Sequence, residues 1–379
     1  FDPARPWTAT NPQPQWAGKE IYQFGASTGQ PRRQRRQSNA WTNEVALRRG
    51  YIVAGNSMTD SARNSNRVSM AETTMMMKEL IGDQYGKIKF TLGTGCSGGS
   101  INSNQNASIA PGQLDGLLIY CTYPDAETTG IEVGDCLLLV EAYQKSAWLD
   151  QMTNAGYTQA QINARKAAIN GHPDQTGCHG WYNAFGSNIQ AGNYNQRVVS
   201  DNTSGAIATL PLPTNNCELP PAAVYDPQTN PGGVRCDGPT WAKSVWGEVN
   251  GIGLNTADNE GVQYGLKALL AGTITAEEFV LINELVGGTD RDGNLVASRN
   301  AADAQALPIA YRAGIVSSGR SLANVPIMDL RGWDDSALLT PPGAAGPPVA
   351  TRSRWLPGAR ARARARPAGR PAGRRRGGD

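Results

Sequence analysis

The 379 residues suffice for about two domains of ~150 residues, or for one large domain carrying an insertion. With 39% hydrophobic and 18% charged residues the chain can bury a sizeable core, and its 44 Gly and 24 Pro stay below a low-complexity composition; the longest apolar runs, Leu117–Tyr120 and Cys136–Val140, exclude a membrane-spanning helix of ~20 residues. The net charge of +3 belongs to the end of the chain, where 33 of the 39 residues from Pro341 to Asp379 are Pro, Gly, Ala or Arg; residues 1–340 carry −6, which argues against a built-in nucleic-acid surface.

The chain begins at Phe1 without a charged-then-apolar leader and reads as a processed protein or a fragment. Lys19–Gly25 reads as a strand ending on the small-residue turn Gly25-Ala-Ser-Thr-Gly29, and Arg32–Asn39 as a polar surface loop. Val45–Arg49 finishes a short helix before a second strand at 50–55. Residues 69–85 form a helix, with Ser69 and Glu72 as a capping box and Met75, Met76, Met77 and Leu80 as core filling rather than a cofactor or metal site. Lys87–Gly93 is a third strand, followed by a Gly-rich turn and a polar helix to Ala110; Leu114–Tyr120 is the fourth. Alternation of this kind predicts a parallel sheet with helices on its faces.

From Asp125 to Asn324 the pattern changes. Helices are expected at 136–150, 158–169, 261–271 and 275–286, the last with a Thr275/Glu278 capping box, around a loop-rich stretch at 171–258 with little strand periodicity. This reads as a mainly helical cap inserted into the sheet. Val325–Arg331 returns as a buried strand. The domain expectation is a core at 1–124, a cap at 125–324, a return strand and acid loop at 325–340, and a tail at 341–379. The tail has no hydrophobic periodicity and cannot bury a core; it reads as the wrong frame of GC-rich DNA, or as a basic arm for nucleic acid or anionic membrane.

Six cysteines without a CxxC pair disfavour structural zinc and permit disulfides in an oxidising compartment. Of 15 possible pairings the preferred set is Cys96–Cys121, joining the ends of two neighbouring strands, Cys136–Cys178, and Cys217–Cys236, closing a Pro/Asn/Gly-rich loop. Six reduced, buried thiols are the alternative. Asp290-Arg-Asp292-Gly-Asn294 has oxygen ligands at alternate positions but reads as a tight polar turn, lacking the distant Glu of a calcium loop. Asn106 and Asn202 are glycosylation sequons only in a eukaryotic secretory pathway. No metal or cofactor is expected.

The chemistry sits in Gly95-Cys96-Ser97-Gly98-Gly99, which satisfies G-x-S-x-G between a predicted strand and a predicted helix. Small flanking residues let Ser97 occupy a strained strand-to-helix turn, with helix N–H groups free to stabilise an oxyanion. A Gly-rich structural turn is the competing reading. Gly98 and Ala26 are the candidate oxyanion amides. Asp335 is the candidate acid, ahead of Asp334 and of Asp329 inside the strand. The only histidines, His172 and His179, lie in the insertion, and none follows Asp335, where the Ser–Asp–His order would place the base. Trp148, Trp181, Trp241 and Trp246 line an apolar pocket or fill the cap core.

Ala71–Lys78, Gly95–Ser100, Pro111–Gly116, Tyr123–Asp125, Ala223–Pro231, Gly261–Ala268 and Ile327–Arg331 occur in one order. Together they resemble an uncharacterised family of large secreted bacterial proteins of α/β-hydrolase fold, over roughly residues 15–335. That family is similar in layout to tannases and feruloyl esterases, which also place a cysteine before the nucleophilic serine. The resemblance implies an α/β-hydrolase-like, mostly parallel sheet with a large cap, Ser97 as nucleophile, a small-molecule or polymeric ester as substrate, and a secreted or periplasmic location. Members of that family extend further at both ends and carry their histidine after the position of Asp335, so the chain reads as truncated at its N-terminus and frameshifted at its C-terminus. Two other readings remain: a non-catalytic binding protein or remnant on the same fold, and a peptidase or amidase.

Overall fold

A computed structural model describes residues 2–27, 43–185 and 219–331, with the backbone of strands 196–200 and 207–211. Cys217, Asn202, Asp334, Asp335, the loop 32–39 and the tail 341–379 lie outside the described residues.

Strand β1 (Lys19–Gln23) alternates in burial, with Glu20 and Tyr22 inside. Helix α1 (Glu44–Arg48), capped by the Asn43 side chain accepting from the Ala46 N–H, precedes β2 (Tyr51–Ala54). Helix α2 (Arg67–Tyr85) leads to β3 (Phe90–Cys96), and α3 (Gly98–Ile109) leads to β4 (Gly116–Tyr120). After β4 the chain builds α4 (Ala126–Ala142), α5 (Ser146–Asn154), α6 (Gln159–Asn170) and α7 (Thr176–Phe185). An antiparallel pair, β5 (Gln196–Ser200) and β6 (Ile207–Pro211), precedes the short helices α8 (Gly238–Trp241) and α9 (Lys243–Trp246). Two-residue strands β7 (Glu248–Val249) and β8 (Ile252–Gly253) pair next, followed by α10 (Leu266–Leu270) and α11 (Ala276–Leu285). The hairpin of β9 (Gly288–Thr289) and β10 (Leu295–Val296) and helix α12 (Ala306–Arg312) lead to β11 (Ile327–Leu330).

β11 then rejoins the sheet, whose order is β11-β4-β3-β1-β2 with every neighbouring pair parallel. The architecture is the expected α/β one. From β1 the chain moves outward to β2, then returns to place β3 on the other flank of β1. The loops leaving β1 and β3 therefore diverge at a switch in strand order, where open parallel sheets place their sites. One core lies against the sheet around Tyr22, Phe24, Met70, Leu117 and Ile119. Another joins α4, α5, α7 and α11 through Leu138, Trp148, Trp181 and Ile282, and a third forms around Trp246, Leu254 and Ile315. Trp148, Trp181 and Trp246 are all buried in these cores.

Several local expectations change. Helix α2 begins at Arg67 under an Asn66 cap, and Ser69 donates its N–H to Asn66 instead of capping the helix itself. Its buried stripe is Arg67, Met70, Ala71, Thr74 and Ile81, a helical spacing that turns Met75, Met76 and Leu80 outward; Met76 is 68% exposed. Met75 and Met76 are thus not core filling, whereas Met77 is half-buried against the sheet core. The helix expected at 136–150 is two helices, because Asp125 caps a start at Ala126 and the chain breaks after Ala142. At 261–271 only Leu266–Leu270 is helical, whereas the Thr275/Glu278 capping box is formed. The stretch 171–258 holds helices and strand pairs rather than loop alone. β11 is less buried than its apolar sequence suggests, Met328 and Leu330 both being exposed on a strand that pairs only with β4 among the described residues. Asn106 is fully buried on α3, so its sequon is not a glycosylation site in the folded chain. No helix of the described residues is long and apolar enough to cross a membrane.

The orientation of α2 makes a sharp contrast testable by urea unfolding. Met70→Ala should cost ~2–5 kcal/mol as a buried truncation, while Met76→Ala should stay within about 0.5 kcal/mol as a surface change.

Candidate active site

Ser97 stands between the C-terminal end of β3 and the first turn of α3, with φ 55° and ψ −118°. A positive φ at a non-glycine residue is backbone strain that the surroundings must hold in place. Three restraints do so. The Ser97 N–H donates to the carbonyls of Tyr120 (3.3 Å) and Cys121 (3.1 Å) at the end of β4. Cys96, immediately before it, is disulfide-bonded to Cys121, itself at φ 50°. The Ser97 carbonyl accepts from the N–H groups of Ser100 (2.9 Å) and Ile101 (3.1 Å) and from Ser100 Oγ (2.6 Å).

The glycines around Ser97 are required by close approach. A Cβ at Gly98 would lie 1.6 Å from the Ser27 carbonyl oxygen, and one at Gly95 would lie 2.5 Å from the Gly99 carbonyl carbon. The loop after β1 therefore rests directly on the first turn of α3, at the strand-order switch. Ala26 lies in this loop and is exposed, next to Ser27 with φ 67°. Among the described residues the Ala26 N–H has no hydrogen-bond partner, and Gly98, first in α3, has no carbonyl within the helix to bind. Both candidate oxyanion donors thus belong to residues at the carboxyl end of two neighbouring parallel strands.

From Gly98 to Ser108 every residue of α3 is buried, although most are polar. Asn102 accepts from Arg67 Nη1 (2.5 Å) and donates to the Thr59 carbonyl (3.0 Å); Asn104 donates to the Tyr123 carbonyl (2.9 Å). Gln105 Nε2 donates to Glu127 (3.0 Å) and to the Ile315 carbonyl (2.5 Å), and Asn106 donates to Thr74 Oγ1 (3.0 Å). Arg67 also donates to Ser61 Oγ (3.0 Å). Burial pulls its guanidinium down to about 10, still a cation at neutral pH, with Glu127 opposing the shift. Burial, helped by Asp125, pushes Glu127 up to about 8 against the pull of Arg67. Arg67 and Glu127 line a cavity of about 300 Å³ whose far wall is Asp237–Pro239, Ile252–Gly253 and Thr289–Arg291. A larger cavity of about 930 Å³ lies between α4, the end of α6 and residues 262–267. Asp135 on its wall accepts from Tyr264 Oη (2.6 Å) and is raised to about 6 by burial. Ser97 lines neither cavity.

Among the described residues no triad partner is hydrogen-bonded to Ser97. His179 is buried in α7, His172 sits after α6 beside Cys136, and among the described residues nothing hydrogen-bonds Ser97 Oγ. Asp329 accepts from Thr122 Oγ1 (2.5 Å) and from Arg331 Nε (2.7 Å) instead of meeting a histidine. Cys136 is joined to Cys178; Cys236 is disulfide-bonded, and its expected partner Cys217 lies outside the described residues. The Asp290–Asn294 stretch is a tight polar turn between β9 and β10, with Asp290 accepting from the Asp292 and Asn294 N–H groups. Arg67 and Glu127 escaped the sequence analysis, their signal being only a charge beside each of two cap residues, Asn66 and Asp125.

A strained serine after the central strand, a cysteine before it and a long segment between the fourth and fifth sheet strands accompany a match to one family over residues 1–340. The chain belongs to a tannase-like family of unknown function, DUF6351. No curated protein and no solved structure matches it.

Two variants probe this site. Gly98→Ala forces Ser27 to move and should lower stability in urea by ~1–3 kcal/mol or more, the cost of overpacking. Glu127 has a folded pKa above its ordinary 4.5, so the neutral carboxyl's advantage is full below about pH 4.5 and lost as pH rises through about 8. Glu127→Gln should therefore flatten the pH dependence of Tm across that window, gaining on the wild type at pH 9.

Proposed function

We propose that this member of the tannase-like family is a secreted serine hydrolase of carboxylic esters, with Ser97 as nucleophile. The observation that carries the reading is the conformation of Ser97, held at positive φ on the turn from β3 into α3. In the reaction Ser97 Oγ attacks the ester carbonyl and its proton passes to a base. The carbonyl oxygen becomes an oxyanion bound by the Gly98 and Ala26 N–H groups, and the alcohol leaves with a proton. Water then attacks the acyl-serine, releasing the acid and restoring the hydroxyl. Asp335, following β11 in sequence, is assigned the acid that orients the base. The segment 125–324 is assigned the cap.

A second reading rests on a specific observation. The only histidines of this sequence are His172 and His179, and neither hydrogen-bonds Ser97. The fold would then persist as a binding protein, with Ser97 unactivated; loss of a triad member leaves only ~10³–10⁴-fold catalysis over water.

Labelling with a fluorophosphonate separates the two. Stoichiometric labelling of the folded chain that disappears in Ser97→Ala supports the hydrolase. A folded chain that stays unlabelled at excess probe overturns it in favour of the binding reading.

A further inference from the structure

We propose that Cys136, Cys178 and His172 form a redox-gated binding site for a zinc-class cation, closed as the disulfide and opened by a dithiol reductant. The two sulfurs and a nitrogen of His172 all lie within 4.8 Å of one another, and His172 Nε2 is 3.8 Å from Cys136 Sγ. Their sequence spacing contains no CxxC pair; α4, α6 and α7 bring them together. This site is independent of the reading of Ser97.

The imidazole is held in place before any metal arrives. Helix α6 ends at Gly171 in the left-handed conformation, and the His172 N–H donates to the Ala167 carbonyl (3.2 Å), fixing the backbone at the ring. Across the ring a Cβ at Gly177 would lie 2.6 Å from His172 Cγ, so the glycine next to Cys178 makes room for the imidazole. All three side chains line the 930 Å³ cavity, which provides an entry path and room for water as a fourth ligand. Two thiolates, one imidazole and an open position is a donor set suited to Zn²⁺, a borderline-soft ion that takes tetrahedral sulfur and nitrogen ligands.

The chemistry balances. A dithiol gives two electrons to the Cys136–Cys178 bond, leaving two protein thiols and becoming a disulfide itself. Zn²⁺ then displaces the two thiol protons to solvent, forming two Zn–S bonds, while neutral His172 contributes a lone pair. With Zn–S bonds of ~2.3 Å in a tetrahedron the sulfurs separate to roughly 3.8 Å, which side-chain rotation at two helix positions can supply.

The test uses the full chain reduced with a water-soluble phosphine and titrated with Co²⁺, folding being followed by near-ultraviolet circular dichroism. The reduced wild type should stay folded and develop tetrahedral Co²⁺ visible bands with sulfur-to-cobalt charge transfer, reversed by added Zn²⁺; the oxidised chain should not. His172→Ala should weaken binding at least ~10-fold, since even outer-shell losses cost that much. Gly177→Ala should weaken it too, with every donor retained. The proposal is overturned by the absence of these bands, by bands that His172→Ala leaves unchanged, or by loss of tertiary structure on reduction, which would make the bond purely structural.

Discussion

The structure depends on burying α3, a helix whose sequence, GGSINSNQNASI, is too polar to be buried by hydrophobicity. A buried polar group left without a partner costs ~1–3 kcal/mol, more than the ~0.5–1.5 kcal/mol a typical hydrogen bond returns. The amide N–H groups of Asn102, Asn104, Gln105 and Asn106 therefore select what packs against the helix, while the side-chain oxygens of Asn104, Gln105 and Asn106 stay unpartnered among the described residues. Asn102 binds the 56–59 turn and Arg67 at the start of α2; Asn104 binds the β4–α4 connection and Gln105 the first turn of α4; Gln105 and Ser108 reach Ile315 and Ser321 shortly before the last sheet strand. Among the described residues the helix thus ties together the segments after β2 and β4 and the approach to β11. Rearranging one of them would orphan several polar groups together.

The same network carries the strain at Ser97. A positive φ cannot persist on an isolated turn. Here it is pinned by hydrogen bonds to two β4-end carbonyls, by the Cys96–Cys121 bridge between adjacent parallel strands, and by α3 fixed in depth through its own side chains. The loop after β1 closes the arrangement by resting on Gly98. Covalent, steric and hydrogen-bonding restraints thus converge on one residue. The neighbouring polar pair, Arg67 and Glu127, is attached to successive turns of the same helix, which transmits position from the elbow to the cavity wall.

Away from the sheet, the segment between β4 and β11 has its own apolar cores, but it is not separate from the site. Tyr123, directly after β4, packs on Trp181 of α7, and Asp125 caps α4 while accepting from the Ser317 N–H. The Cys136–Cys178 bridge ties α4 to α7 with His172 alongside. The two cavities lie on either side of α4 and share Ile131 as a wall, so that helix sets the geometry of both.

The sequence by itself determined the sheet, the serine turn and the capping box at Thr275, because each is a local pattern: β-rich runs between turn residues, small residues around one serine, a hydroxyl three residues before a glutamate. It misread α2, since MMM looks apolar in any window while only the angular position relative to the sheet decides that Met70 is inside and Met76 outside. It also missed the start of α4, where Asp125 is both a helix cap and a long-range acceptor. Arg67, Glu127 and the His172 cluster were invisible for a deeper reason: a charge in a cavity and three ligands from two helices and the end of a third have no signature in one dimension. Tertiary structure alone decided them, because burial sets their ionisation and the packing of distant helices sets their distances.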